Sequence, residues 1–370
     1  AAAFSAWLLA SSAVNGATAL VAAGKLLLYG SLALGVVLFV RRRVQLWITV
    51  ALVAAFALAA AAWGGLAFFG LVDTAFTGRR QDSFTGQHEL ALLSTMTLAA
   101  VLATLYARSP RVPRAALVAA GVVAVVGVVL GGAIASLLGV YAATGAIVAV
   151  ALSRRSATAR ALAVTAAAVL AVTLGTLALR SGDLVAFTRF LGLAERSERQ
   201  EENVAGWNER LVYVYVGGRI FLDQPLLGTG WHGELPPEEY VRYLPDARKR
   251  FPEVPASYLP PRTGFVPQQT YDQVLYELGV VGGVLFLALG VITIRSTLRV
   301  AGTWPRRDQD EAAAYVPLAW TAALACALIG AALFGGSALP AAFWLVLGLA
   351  AAAPSLVPQG RPTEPITSAS

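Results

Sequence analysis

Nine runs of apolar residues constrain this chain more than any other feature. They lie at 17–40, 46–72, 89–107, 115–131, 134–152, 161–180, 272–294, 314–335 and 338–356. A hydrocarbon core about 30 Å thick needs about 20 residues of helix, and the runs meet that length. In lipid a spanning segment must satisfy its own backbone N–H and C=O groups, so each run is predicted to be a helix. A composition of 57% hydrophobic and 13% charged residues over 370 positions also lies outside the soluble globular range. The expected fold class is an all-α polytopic membrane protein with about nine complete transmembrane helices, a partial N-terminal one, and a large extracytoplasmic loop. Residues 1–12 read as the end of that partial helix. A start at Ala1, without Met or a charged signal-peptide beginning, is expected of a chain shortened at its N-terminus.

Charge placement orients the spans. Arg41, Arg42 and Arg43 follow the first run, and Arg108, Arg111 and Arg114 the third. Arg154, Arg155 and Arg160 follow the fifth, and Arg295, Arg299, Arg306 and Arg307 the seventh. Every second connection is therefore arginine-rich, which assigns those connections to the cytoplasm. The division that follows is N-terminal transmembrane helices over 1–180, an outer loop over 181–270, C-terminal transmembrane helices over 271–357 and a cytoplasmic tail over 358–370. The outer loop carries 12 acidic and 10 basic residues, a mixture unlike a nucleic-acid-binding or anionic-lipid-binding tail. Arg79 and Arg80 lie in the short outer loop 73–88, against the charge rule, which calls for a local reason.

Several chemistries find no support. Cys326 is the lone cysteine, so an internal disulfide is excluded and a thiolate metal site is not expected. His88 and His232 are the only histidines, and they form no spaced metal cluster. No P-loop, GxSxG, HExxH or dinucleotide fingerprint is present, so no cofactor is expected. Abundant Ala and Gly permit close helix approach, although 26 Arg against 2 Lys also fits a coding bias that inflates all three. Lys25 falls within the first span, where a charge is costly. Either the helix starts near Val21 and Lys25 snorkels outward, or Lys25 faces a cavity.

The outer loop holds the sharpest patterns. Residues Trp207 to Leu222 are amphipathic, and the Val/Tyr alternation at 212–216 fits a strand as well as a helix. Pro225 and the Gly228-Thr229-Gly230 turn end that element, and the proline-rich stretch after it is predicted to be irregular. On the helix that follows Pro267, Gln269, Asp272, Gln273, Tyr276 and Glu277 share one face, with Val274, Leu275, Leu278 and Val281 opposite. A polar stripe running into the bilayer is expected to face protein or a water-filled cavity. Gly279, Gly282 and Gly283 then permit close packing. Arg210, Arg219 and Arg262 join Arg79 and Arg80 as outer arginines, whose planar forks suit phosphate oxygens.

Three of these stretches together resemble the O-antigen ligase and polymerase family of integral membrane glycosyltransferases. The family's H-[NSQ]-x9-G-x-x-G pattern is met by Gln269, Gly279 and Gly282, with Gln268 at the His position. Its arginine followed by P-L-L-G-x-G is met by Arg210, Pro225, Gly228 and Gly230. In its R-x-x-G-x-F-x-x-P-N-x-L-A loop, Arg79, Phe84, Leu90 and Ala91 match, while Asp82, Gln87 and His88 depart. The resemblance implies a metal-independent transfer at the extracytoplasmic face of the bacterial cytoplasmic (inner) membrane, in cell-surface polysaccharide biosynthesis. A glycan on polyprenyl diphosphate passes to the hydroxyl of a lipid, glycan or protein acceptor. Arg79, Arg80, Arg210, Arg219 and Arg262 are the candidates for holding the diphosphate, whose developing charge they would stabilise. Gln at position 268 cannot serve as a general base. His232, Asp272 or Glu277 is then the alternative base, or Gln268 only orients the acceptor; Gln269, at the motif's second position, is also a candidate catalytic residue. A transporter, suggested by the spans and Lys25, and a non-catalytic relative, suggested by Gln268, are the competing readings.

Overall fold

The computed structural model describes residues 1–72, 83–106, 113–190, 193, 201–233, 241–252, 269–305, 311–333 and 338–357. Arg79, Arg80, Arg262 and Gln268 lie outside the described residues. Among those described, the chain is all-helical. It runs α1 (Ala2–Val14), α2 (Ala17–Phe39), α3 (Arg43–Phe68), α4 (Gln87–Leu105), α5 (Arg114–Gly131), α6 (Ile134–Ser153) and α7 (Ala159–Phe190). There follow α8 (Glu201–Asp223), α9 (Leu244–Arg250), α10 (Thr270–Thr303), α11 (Ala312–Gly330) and α12 (Ala338–Ala352), the last running into a 3-10 turn at Ala353–Leu356. Nine of these elements are long and apolar enough to cross a membrane, each within a few residues of an expected run. α1, at 13 residues, is too short to do so.

Burial sorts the spans into layers. The apolar windows of α4, α11 and α12 are 78%, 78% and 72% buried, whereas those of the other six spans are between 17% and 39% buried. A helix that is apolar all round and buried all round is an inner one. α11 packs on α4, α6, α10 and α12, with Trp320 wholly buried and its Nε1–H donating to the Met96 carbonyl at 2.8 Å. Small residues set some approaches: a Cβ on Gly127 of α5 would lie 2.2 Å from Ser94 Oγ of α4.

Helix ends follow their local chemistry. The Gln45 side chain accepts from the backbone N–H groups of Arg41 (2.9 Å) and Arg42 (2.8 Å) to start α3. Thr158 Oγ1 accepts from Ala161 N–H at 3.2 Å to start α7. α7 departs from helical geometry at Arg180, a buried side chain that donates to the Gly132 carbonyl between α5 and α6.

One open alternative is resolved and one sequence expectation is corrected. The stretch 212–216 lies in helix α8, not a strand, because Val212, Val216 and Ile220, four residues apart, bury one face against α9. The stretch expected to be irregular contains α9, which starts with Pro245 in its first turn and closes with Arg248, Lys249 and Arg250, charges suited to a helix C-terminus. The α8–α9 layer has its own small core, and Tyr276 of α10 completes it.

Candidate functional site

The site is built around a broken helix. α10 departs from helical geometry at Gly279, whose φ is +67° and ψ −172°. That break frees backbone groups that an uninterrupted helix would pair, and buried groups of this kind must find partners elsewhere. They find them in the segment 225–230 and in α1. Thr229 N–H donates to the Tyr276 carbonyl at 3.0 Å, Gly230 N–H to the Glu277 carbonyl at 2.8 Å, and Val280 N–H to the Pro225 carbonyl at 2.7 Å. Trp7 Nε1–H donates to the Leu278 carbonyl at 2.9 Å. The two backbones lie so close that a Cβ on Gly228 would be 2.4 Å from the Glu277 carbonyl, and one on Gly279 would be 2.2 Å from the Leu226 oxygen. Both positions also have φ of +67°, which favours glycine.

α1 secures the other side of the turn. Ser11 Oγ donates to the Leu227 carbonyl at 2.6 Å, Asn15 Nδ2 to the Gly228 carbonyl at 3.2 Å, and Ser12 Oγ accepts from Trp231 N–H at 3.1 Å. The turn therefore delivers His232 to a fixed place. His232 itself has φ of +50°, an uncommon backbone for a side-chain-bearing residue that costs about 1–3 kcal/mol and clusters at functional sites.

Around His232 gather Gln273, Tyr276 and Glu277. His232 Nε2 lies 3.0 Å from the Leu333 carbonyl and 3.5 Å from Gln273 Nε2, while Nδ1 lies 3.6 Å from Glu277 Oε1. Gln273 Nε2 donates to Glu277 Oε2 at 3.2 Å, and Gln273 Oε1 accepts from Leu333 N–H at 2.8 Å. Tyr276 OH donates to Glu277 Oε1 at 3.3 Å. Gln273 and Glu277 are 0% and 2% exposed, but the His232 side chain retains 24% exposure. One member of a buried polar group thus reaches solvent. Burial of the ring holds the His232 pKa below its usual value, against a smaller opposing effect from the Leu333 carbonyl. The imidazole is then neutral near pH 7, as a proton acceptor must be.

A cavity of about 230 Å³ opens beside it, lined by His232, Trp231, Leu333, Lys25, Tyr29 and Pro340 among others. α2 begins at Ala17, eight residues before Lys25, so of the two sequence readings Lys25 takes the cavity-lining one. A second, apolar groove of about 440 Å³ runs between α10, α11 and α12 from Tyr271, in the first turn of α10, past Phe286 to Ile294.

The expected site residues are distributed as follows. His232 and Glu277 come together, and Gln273 and Tyr276 of the same polar stripe join them. Gln269 caps α10 with its backbone, and its side chain pairs with Asp272 at the start of the helix. Arg210 and Arg219 lie on α8; Arg219 acts electrostatically on Tyr215, which donates to Asp246 on the outer face of the α8–α9 layer. Sequence reasoning did not assign Trp7, Ser11, Ser12 and Asn15 to the site. The signal for Ser11, Ser12 and Asn15 was polar residues at and just past the end of a largely apolar helix; Trp7 carried none. Among the described residues no group of three or more His, Cys, Asp or Glu side chains gathers as a metal cluster would.

No curated protein matches the chain. The O-antigen ligase family model matches residues 119–287, a stretch that begins in α5, contains the 225–230 turn and His232, and ends beyond the Gly279 break. Over that stretch this multi-pass membrane protein is similar to the O-antigen ligase family.

Proposed function

We propose that this protein transfers a glycan from polyprenyl diphosphate to an acceptor hydroxyl at the extracytoplasmic face of the membrane, with His232 as general base. The observation that carries this reading is the placement of a neutral, partly exposed imidazole at a cavity that Lys25 also lines. The tautomer that donates Nε2–H to the Leu333 carbonyl leaves the lone pair on Nδ1. Nδ1 sits 3.6 Å from Glu277 Oε1, too far for a firm hydrogen bond, and in this scheme it takes the proton of the acceptor hydroxyl.

The acceptor oxygen attacks the sugar carbon that bears the diphosphate. The carbon–oxygen bond to the diphosphate breaks, its electron pair leaves with polyprenyl diphosphate, and the acceptor's proton passes to Nδ1. Glu277 then balances the imidazolium, as an orienting carboxylate does for a catalytic histidine. Lys25, together with the arginine set Arg79, Arg80, Arg210, Arg219 and Arg262, supplies the charge that a departing diphosphate needs. The groove beginning at Tyr271 is apolar along its length and suits a polyprenyl tail. Gln268, Gln269 and Asp272 orient the acceptor in this scheme. Ligase and polymerase chemistry differ only in that acceptor, so one site serves either.

The test is release of polyprenyl diphosphate by purified protein in proteoliposomes supplied with a polyprenyl-diphosphate-linked glycan and acceptor. Native protein releases it, and His232→Gln does so at least about 100-fold more slowly. Equal rates would remove His232 from the chemistry, and no release from native protein under any acceptor would remove the transfer itself.

A further inference from the structure

A third cavity shares no lining residue with the site. It is a groove of about 670 Å³ between α4, α5 and α7, lined on its apolar walls by residues such as Leu102, Val118, Val122 and Val164, with Arg114 and Arg160 among its lining. Val118, Val122 and Val164 are 66%, 58% and 42% exposed, so the groove is open on its lipid side. Its volume falls in the range of about 300–1,000 Å³ typical of small-molecule sites.

The polarity of the groove is one-sided. Arg114 is the first residue of α5 and Arg160 the second of α7, so both guanidinium groups belong to helix beginnings on the arginine-rich side of the molecule. Neither side chain makes a hydrogen bond or ion pair among the described residues, and both are exposed. The nearby Arg154 is different, because Glu311 and three carbonyls consume it. The described ends of α4, α5 and α7 on this side carry no acidic side chain. An apolar channel with two cations at one end, set in a membrane-spanning wall, has the complement of an amphipathic anion: chains for the valines and leucines, a phosphate for the arginines.

We propose that this groove is a binding site for an anionic glycerophospholipid, with its acyl chains between α5 and α7 and its phosphate at Arg114 and Arg160. The site is separate from the His232 centre and does not depend on the reaction assigned there.

The experiment is a thermal-midpoint titration of detergent-solubilised full-length protein with phosphatidylglycerol, with phosphatidylcholine of the same chains, and with inorganic phosphate. Phosphatidylglycerol raises the midpoint of native protein at low lipid fraction, and the other two do not. Arg114→Gln/Arg160→Gln weakens the response by about 30-fold, the joint worth of two basic side chains at an anionic surface. Val122→Trp, on an exposed wall position that tolerates added bulk, fills the groove and weakens it independently. An equal shift with phosphatidylcholine, an unchanged response in both variants, or a shift with inorganic phosphate alone would overturn the proposal.

Discussion

Among the described residues, two buried polar clusters are built on opposite plans. At the arginine-rich end, Arg154 Nε lies 2.6 Å from Glu311 Oε1, and its other nitrogens donate to the carbonyls of Ala301 (2.7 Å), Trp304 (2.7 Å) and Pro305 (3.0 Å). Tyr315 OH donates to the same Glu311 oxygen at 2.8 Å, and Ser156 lies 3.0 Å from Tyr315 OH. Every guanidinium nitrogen is used and both charged side chains are at most 5% exposed. Around His232 the contacts between side chains run from 3.2 to 3.6 Å, beside contacts of 2.8 and 3.0 Å to the Leu333 backbone, and the histidine is partly open to a cavity. A saturated cluster with short contacts fastens α6 to the α10–α11 connection. The looser one, with a partly exposed imidazole at its edge, is the one to which the proposed transfer is assigned. Both clusters are buried polar networks; satisfaction, rather than burial, separates the saturated one from the one proposed to act chemically.

The contrast can be broken by substitution. Arg154→Ala leaves Glu311 buried without its partner and is expected to cost about 3–5 kcal/mol of stability, read as a lower thermal midpoint and poor yield; an unchanged midpoint with lost transfer would reverse the roles given to the two clusters. His232→Ala is expected to lower transfer by about 100-fold to 10,000-fold while costing only about 1 kcal/mol for the lost hydrogen bond to Leu333. Gly279→Ala should do some of both. A methyl group there meets the Leu226 carbonyl, and a side chain at φ +67° adds about 1–3 kcal/mol of strain, so the turn that holds His232 shifts. Native stability and activity in that variant would show that the helix break is not needed.

The smallest effect is one of pH. Burial lowers the folded-state pKa of His232, so the unfolded chain takes up a proton first as pH falls. Stability from this residue is therefore full above about pH 6.5, the unfolded value, and declines as pH drops from there through the folded pKa. Subtracting the pH–stability curve of His232→Gln from that of native protein isolates this component. A native protein that instead gains stability toward low pH would mean that His232 is held protonated.

Much of the fold was legible because lipid permits few solutions. Apolar length fixed the nine spans, and spacing alone put Gln273, Tyr276 and Glu277 on one face of α10. The site was only partly legible. His232 stood out by rarity and by following a Gly-Thr-Gly turn, but nothing local revealed that the turn closes onto Tyr276 and Glu277 some fifty residues later. That closure depends on backbone groups freed at Gly279, and a glycine in a helix reads equally well as a packing residue. α1 was harder still, since its serines act through backbone groups of a distant segment, Ser11 on the Leu227 carbonyl and Ser12 on the Trp231 N–H. Lys25 could be placed only once the helix start at Ala17 and the neighbouring Trp231 were known.

The central claim is that His232 and Glu277 act as one chemical unit, and a double-substitution cycle tests it most directly. Transfer rates would be compared for native protein, His232→Ala, Glu277→Gln and the pair, each checked for a native-like thermal midpoint. Groups that act together lose their effect together, so the double variant should be no slower than His232→Ala alone. Losses that multiply, or a His232→Ala protein as fast as native, would contradict it.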